Sequence, residues 1–144
     1  MNLVIRSAAP DDLPALLEIE RASFSRPHWQ SEDFLPNECT VVELNGSVVA
    51  FLVSRETFQG SEHELAEREI LNLAVAPSFR RKGIAKTLLR HELRSRAAYF
   101  LEVRESNMAA QNLYFQFGFR EIARRPRYYQ DPSEGAIVMQ MKKC

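Results

Sequence analysis

The sequence predicts an α/β fold: a mixed β-sheet with helices packed on it. Three observations carry that prediction. Two β-rich runs flank an Asn-Gly pair, which is a hairpin signal. Apolar spacing alternates between strand-like and helical periods in the second half of the chain. The resulting order, β α (α) β β β α β α β β, starts with antiparallel-type neighbours and ends in βαβ-like alternation.

Each element has a local reason. "LVIR" (3–6) is a short β-like run. "PDDLPALLEIERASF" offers Asp11 or Asp12 as an N-cap, with Leu13, Leu16, Leu17 and Phe24 near helical spacing. "SEDFL" (31–35) reads as a second short helix capped by Ser31 and halted by Pro36. "TVVEL" and "SVVAFLVS" form the hairpin around Asn45-Gly46, and "QGSEHE" follows as a polar loop. "REILNLAV" (68–75) is a strand ended by Pro77. From Gly83 to about Arg96 the pattern is helical, with Ile84, Leu88, Leu89 and Leu93 on one face. "YFLEVR" (99–104) is a strand. "NMAAQNLYFQFGF" is a helix with Asn107 near its start and Gly118 at its end. "FREIARR" and "AIVMQM" are two last strands, joined by the polar "PRYYQDPSEG".

Bulk properties exclude several classes. The 144 residues suit a single domain, 1–144, with one core. Formal net charge is zero, so no global field draws the protein to nucleic acid or an anionic membrane. Cys39 and Cys144 do not make a disulfide framework, which points to a reducing compartment. No signal-peptide pattern opens the chain, and no apolar run reaches the ~20 residues of a membrane span. A cytoplasmic protein is the expectation. His28, His63 and His91 lack zinc-site spacing, so no metal is expected. Nothing in the sequence specifies an oligomeric state.

"RRKGIAKT" (80–87) is the segment that suggests a ligand. A strand ends at Val75 and a helix begins near Gly83, so the helix's first N–H groups lack internal partners. A phosphate can accept from them, helped by the helix dipole. Gly83 removes a Cβ, and Arg80, Arg81 and Lys82 add positive charge. The G-x-x-x-x-G-K-S/T pattern of nucleoside-triphosphate loops and the G-x-G-x-x-G of dinucleotide folds are both absent. A merely solvated helix start accounts for the segment equally well on its own.

"VAPSFRRKGIAKTLL" resembles the acetyl-CoA motif of the GNAT N-acetyltransferases, Q/R-x-x-G-x-G/A, with Arg80, Gly83 and Ala85 at its defined positions. "LEVRESNMAAQNLYFQFGF" resembles the family's second signature, on which Asn107, Ala110, Tyr114, Gly118 and Phe119 fall. The opening strand and helix are similar too, so the resemblance covers nearly the whole chain. Within the family, "LEVRESN", "RYY" and "AIVMQM" resemble the RimI-type branch, enzymes that acetylate the N-terminal alanine of a ribosomal protein. Two departures stand out: an extra residue in Pro27-His28-Trp29, and a shorter stretch from Gly83 to Glu102. The resemblance implies a central, mostly antiparallel GNAT sheet flanked by helices, acetyl-CoA as cosubstrate, and a protein or peptide N-terminus as partner. From charge and hydropathy, no direct nucleic-acid or membrane partner is expected.

Site residues follow from the resemblance. Backbone groups of Leu73, Ala74 and Val75 would meet the pantetheine arm and polarise the acetyl carbonyl. Arg80, Arg81, Lys82, Gly83, Ile84, Ala85 and Lys86 would hold the pyrophosphate. Asn107 would touch the coenzyme A arm; as a residue it is equally a helix N-cap. Glu102 would be the general base, through water. From the strand pattern alone it is a carboxylate on an exposed face. Tyr114 would be the general acid; from the pattern alone it is a core aromatic beside Leu113, Phe115 and Phe117. Tyr128 and Tyr129 read evenly as peptide contacts or as a packed pair. Arg120, Arg124, Arg125 and Arg127 read as a solvated face more readily than as an RNA contact. Two other readings stay open: acetylation of a small amine, and an acyl-CoA-binding module without catalysis.

Overall fold

The computed structural model describes residues 2–24, 29–130 and 133–144. Pro27 and His28 of the Pro-His-Trp element lie outside the described residues. The chain divides into two compact units, one of Met1–Arg55 with Leu71–Glu92 and the other of Glu56–Ile70 with Leu93–Cys144.

In the first unit β1 (Leu3–Ser7), β2 (Glu38–Leu44) and β3 (Ser47–Phe58, which belongs to this unit as far as Arg55) pair in sequence, antiparallel throughout. The β2–β3 turn is the expected one. Asn45 at φ 51° and Gly46 at φ 86° are both left-handed, as a twist-matched two-residue hairpin requires. Helix α1 (Leu13–Ser23) follows a 3-10 turn at Pro10–Asp12. Asp12 serves that turn rather than α1: its carboxylate accepts from the Ala9 N–H at 2.7 Å and from both terminal nitrogens of Arg6 at 2.7 and 2.9 Å. Arg6 hydrogen bonds hold Asp12 below its ordinary pKa, and its Nε also donates to Glu43 at 2.8 Å.

The short helix α2 (Ser31–Phe34) starts one residue earlier than a Ser31 cap would give: Gln30 is the cap, and its N–H donates to Asp33 at 2.7 Å. Alternation then decides burial. Cys39, Val41, Phe51 and Val53 face Leu16, Ile19 and Phe34 from α1 and α2. Phe34 sits edge-on between Trp29 and Phe51, with centroids 5.0 and 5.1 Å away. Val42, Ala50 and Leu52, also buried, alternate to the opposite face. Helix α3 (Ile84–Glu92) packs against β2, burying Ile84, Leu88 and Leu89.

α3 is shorter than the periodicity predicts. It stops at Glu92 rather than near Arg96, because β5 (Ala97–Arg104) is already a strand at Ala97, paired with Lys143. Residues 93–96 must turn, and the Tyr99 hydroxyl donates to the Ser95 carbonyl at 2.7 Å within that turn. The stretch between Gly83 and Glu102 thus holds a nine-residue helix and a short turn before β5.

β4 (Glu67–Val75) contributes residues to both units. In the second unit the strand order is β4-β5-β7-β6, with β6 (Arg120–Tyr129) at the edge and β7 (Glu134–Lys143) beside it. β4 and β5 are parallel over Glu67–Ile70 and Ala98–Leu101, and their ladder ends there, before Leu73 and before Glu102. β5–β7 and β6–β7 are antiparallel. The mixed sheet is therefore as expected. One boundary is not: Pro126 to Tyr129, read from sequence as connector, belongs to β6. Proline is tolerated because β6 is an edge strand, and the ladder slips between Arg125 and Tyr129 where Arg127 takes φ 53°.

Helix α4 (Met108–Gln116) completes this unit. Asn107 Oδ1 accepts from the Ala110 N–H at 3.1 Å, the expected N-cap. Gly118, at φ 96°, ends it, with N–H groups of Gly118 and Phe119 returning to Phe115 and Tyr114.

Candidate active site

The sequence-selected residues fall into two groups, one in each unit. In the first, β4 ends at Val75, with Ala74 in the core and Leu73 and Val75 half-buried. A 3-10 turn at Pro77–Phe79 leads to Arg80, whose Nε donates to the Val75 carbonyl at 3.0 Å and whose terminal nitrogen donates to Ser23 Oγ at 3.2 Å. The motif arginine therefore fastens the turn to its own strand and to α1. Its charge stands beside the turn; its hydrogen bonds are spent on the chain.

After Arg80 the backbone enters left-handed space twice, at Arg81 (φ 63°) and Gly83 (φ 77°). Such reversals turn successive N–H groups toward one side, the geometry of an anion nest. Thr87 closes the first bond of α3, its N–H and Oγ1 both donating to the Gly83 carbonyl at 3.0 Å. The N–H groups of Ile84, Ala85 and Lys86 precede that ladder and carry the positive end of the helix dipole. Ala85 is helical, as its non-glycine identity suggests. Arg81, Lys82, Gly83 and Lys86 are exposed. A Cβ on Gly83 would meet nothing within 4 Å, so glycine is there for its φ and not for lack of space. These donors fit a diphosphate.

The same unit holds a pair that sequence reasoning missed. Glu20 of α1, 2 % exposed, accepts from Asn72 Nδ2 at 3.0 Å. Together with Arg80–Ser23, it ties the C-terminal half of α1 to β4 on either side of Leu73–Val75.

The second group is an alternating row of charged and aromatic side chains. Glu134 meets Arg104 at 3.3 Å, and Arg104 lies over the Tyr129 ring at 4.3 Å. Tyr129 and Tyr128 stand edge-on at 5.1 Å, Arg125 lies over Tyr128 at 4.9 Å, and Arg125 meets Glu102 at 3.2 Å. Tyr128 also returns to Glu102: that hydrogen bond is the first cause raising its phenol above the ordinary value. Burial, then the nearby Glu102 charge, pushes Tyr129 up to about 12. The row is braced from α4's side by Glu134 accepting from the Ser106 N–H at 2.6 Å, and by Gln111 donating to the carbonyls of Arg104 and Glu105.

Tyr114 is buried in α4, edge-on to Phe119 at 5.7 Å. Burial, with a smaller effect of Tyr129, raises its phenol well above the ordinary range. Glu102, Tyr114, Asn107, Tyr128 and Tyr129 thus all lie in the second unit; Leu73–Val75 and Arg80–Lys86 lie in the first. Of the arginines on β6, Arg124 pairs with Glu121 at 2.8 Å and Arg120 stacks on Phe115 at 4.0 Å. With Arg125 on Glu102, these cations are engaged within the chain. The Arg125–Glu102 pair could not be seen in sequence, since it depends on strand register.

Among the described residues, no group of three or more His, Cys, Asp or Glu side chains is arranged to hold a metal ion. No helix among them is long and apolar enough to cross a membrane.

Comparison with known proteins gives a consistent result. The ribosomal protein bS18-alanine N-acetyltransferase of Escherichia coli strain K12 is 35 % identical over 147 aligned residues, covering 94 % of each chain. The enzyme of the same description from Haemophilus ducreyi is 33 % identical, covering 94 % of this chain and 97 % of its own. The crystal structure of the ribosomal-protein-S18-alanine N-acetyltransferase from Escherichia coli superposes with a TM-score of 0.83 at 32 % identity, covering 98 % of this chain and 94 % of that one. Residues 9–119 match the Acetyltransferase (GNAT) family. The strand-and-helix order, the anion-nest turn and the full-length likeness converge: this chain belongs to the GNAT family of acetyltransferases.

Proposed function

We propose that this chain is a single-domain, cytoplasmic enzyme that transfers acetyl from acetyl-CoA to the N-terminal α-amino group of a protein beginning with alanine. Ribosomal protein bS18, or its counterpart, is the acceptor that the relatives' activity suggests. The observation that carries the reading is the second unit's row: a half-buried carboxylate, Glu102, bonded to a tyrosine and an arginine of the edge strand.

Bound acetyl-CoA supplies an activated acetyl thioester. The chain's residues do the rest. N–H groups of Ile84–Lys86, set by the turns at Arg81 and Gly83, hold the pyrophosphate, and Arg81, Lys82 and Lys86 screen its charge. Arg80 and the Glu20–Asn72 pair fix β4 so that the backbone of Leu73–Val75 is preorganised for the pantetheine arm and the carbonyl oxygen. Glu102 takes the amine's proton through water. Tyr114, kept protonated by burial, donates to the departing thiolate. Asn107 caps α4; in this reading it also serves the coenzyme A arm, and Tyr128 and Tyr129 serve the acceptor peptide.

The acceptor's own chemistry favours an α-amine. With a pKa of ~8, roughly a tenth of it is neutral at pH 7; lysine, at ~10.4, is neutral to roughly 0.0004. A water-relayed carboxylate suffices for the first. Thiol release from acetyl-CoA with an alanine-initiated peptide, an N-blocked lysine peptide and small amines tests the reading. Turnover on the free N-terminus is expected; turnover on small amines alone would overturn it.

A further inference from the structure

The row that ends at Glu102 is built differently at its two ends. Arg104 lies over Tyr129, meets Glu134 at 3.3 Å and also donates to the Gln130 carbonyl at 3.2 Å, with its side chain 30 % exposed. Arg125 lies over Tyr128 and meets Glu102 at 3.2 Å, with its side chain 54 % exposed. Water screens a pair that open, so it is weakly held. Arg125 also reaches Glu102 from the point where the β6–β7 ladder slips, so less backbone pairing restrains it. One end of the row is fastened and the other can let go.

The geometry points to Arg125 as a displaceable latch on Glu102, occupying the carboxylate until the acceptor's α-ammonium takes its place. This rests on the reading of Glu102 as the base that serves the acceptor amine. The exchange is cation for cation. Roughly nine-tenths of an α-amine is protonated at pH 7, so the arriving group carries the charge the latch gives up. The half-buried carboxylate is therefore paired before and after the exchange, avoiding the cost of an uncompensated charge. A ligand without an ammonium has nothing to offer Glu102 in return, and it leaves the latch closed. Arg125 thus makes access to the base conditional on a charged amine. On release its guanidinium remains beside the Tyr128 ring, which can hold it.

The test is equilibrium binding of an alanine-initiated peptide and of its N-acetylated form, in the presence of coenzyme A. Wild type, Arg125→Gln and Arg125→Lys are compared. Arg125→Gln should bind the free-amine peptide about 2- to 5-fold more tightly, the range an exposed ion pair supports. It should bind the acetylated peptide as wild type does. Arg125→Lys, which keeps the cation, should stay near wild type for both. Free-amine binding that is unchanged or weaker in Arg125→Gln would overturn the latch, and so would equal tightening of both peptides. Turnover of Glu102→Gln is measured alongside. If it matches wild type, the base reading and the latch fall together. If it is lost while the binding pattern fails, only the latch falls.

Discussion

The turn at Arg80–Lys86 and the row from Glu134 to Glu102 solve different problems with different parts of the chain. The turn presents backbone N–H groups, and its geometry depends on two left-handed residues and one helix start. The row presents side chains, drawn from β5, β6 and β7, and its geometry depends on strand register. A backbone device tolerates changes of side chain but not of φ. A side-chain device tolerates little at its reactive ends. Substitutions in the two regions should therefore fail in different ways.

The largest effect is expected at the reactive end of the row. Glu102→Gln should lower turnover about a hundredfold or more, within the usual span of general-base catalysis, while acetyl-CoA binding stays within about twofold. Stopped-assay turnover with ligand titration reads both, and wild-type turnover would break the division of labour. Tyr114→Phe should cost about tenfold to a hundredfold, again without loss of coenzyme binding. The pH profile sharpens this. Burial holds Tyr114 above the ordinary phenol value of 10.0, so it keeps its proton through that pH. No falling limb at pH 10 that Tyr114→Phe abolishes should appear in the wild-type rate.

The turn should respond differently. Gly83→Ala meets no steric obstacle, yet an L-residue at φ 77° costs about 1–2 kcal/mol. Acetyl-CoA affinity should fall several-fold with turnover at saturation little changed; a hundredfold loss of saturated turnover would contradict a backbone role. Asn107→Ala removes the N-cap bond to Ala110 and should cost about 1 kcal/mol of stability, a few degrees in Tm by calorimetry. The smallest effect is at Arg6–Asp12. Arg6 lowers the Asp12 pKa from 3.8, so its stabilisation is present above that pH and withdrawn as pH falls through the folded value. The stability gap between wild type and Asp12→Asn should begin to narrow as pH falls past 3.8 and close once it is below the folded value; a gap that does not narrow on acidification would refute the assignment.

The same contrast explains what the sequence disclosed. The Asn45-Gly46 hairpin, the Asn107 cap and the Gly83 turn are local: each depends on a residue whose backbone or short side chain acts within a few positions. All are where the sequence puts them. The end of α3 was hidden because Leu93 continues the apolar face while Ala97 is already committed to β7. The extent of β6 was hidden because proline reads as a breaker, and only its edge position makes Pro126 acceptable. Non-local partners were the rest. Arg80's bonds to Val75 and Ser23, Glu20's to Asn72 and Arg125's to Glu102 cross between elements, and no spacing rule within one element encodes them.

The most direct test of the account is where the acetyl group goes. An alanine-initiated peptide carrying one internal lysine is incubated with the protein and acetyl-CoA, and the product is sequenced by tandem mass spectrometry. The account predicts acetyl on the N-terminal nitrogen with the lysine side chain unmodified. Acetyl on the lysine Nζ, with a free N-terminus, would contradict it.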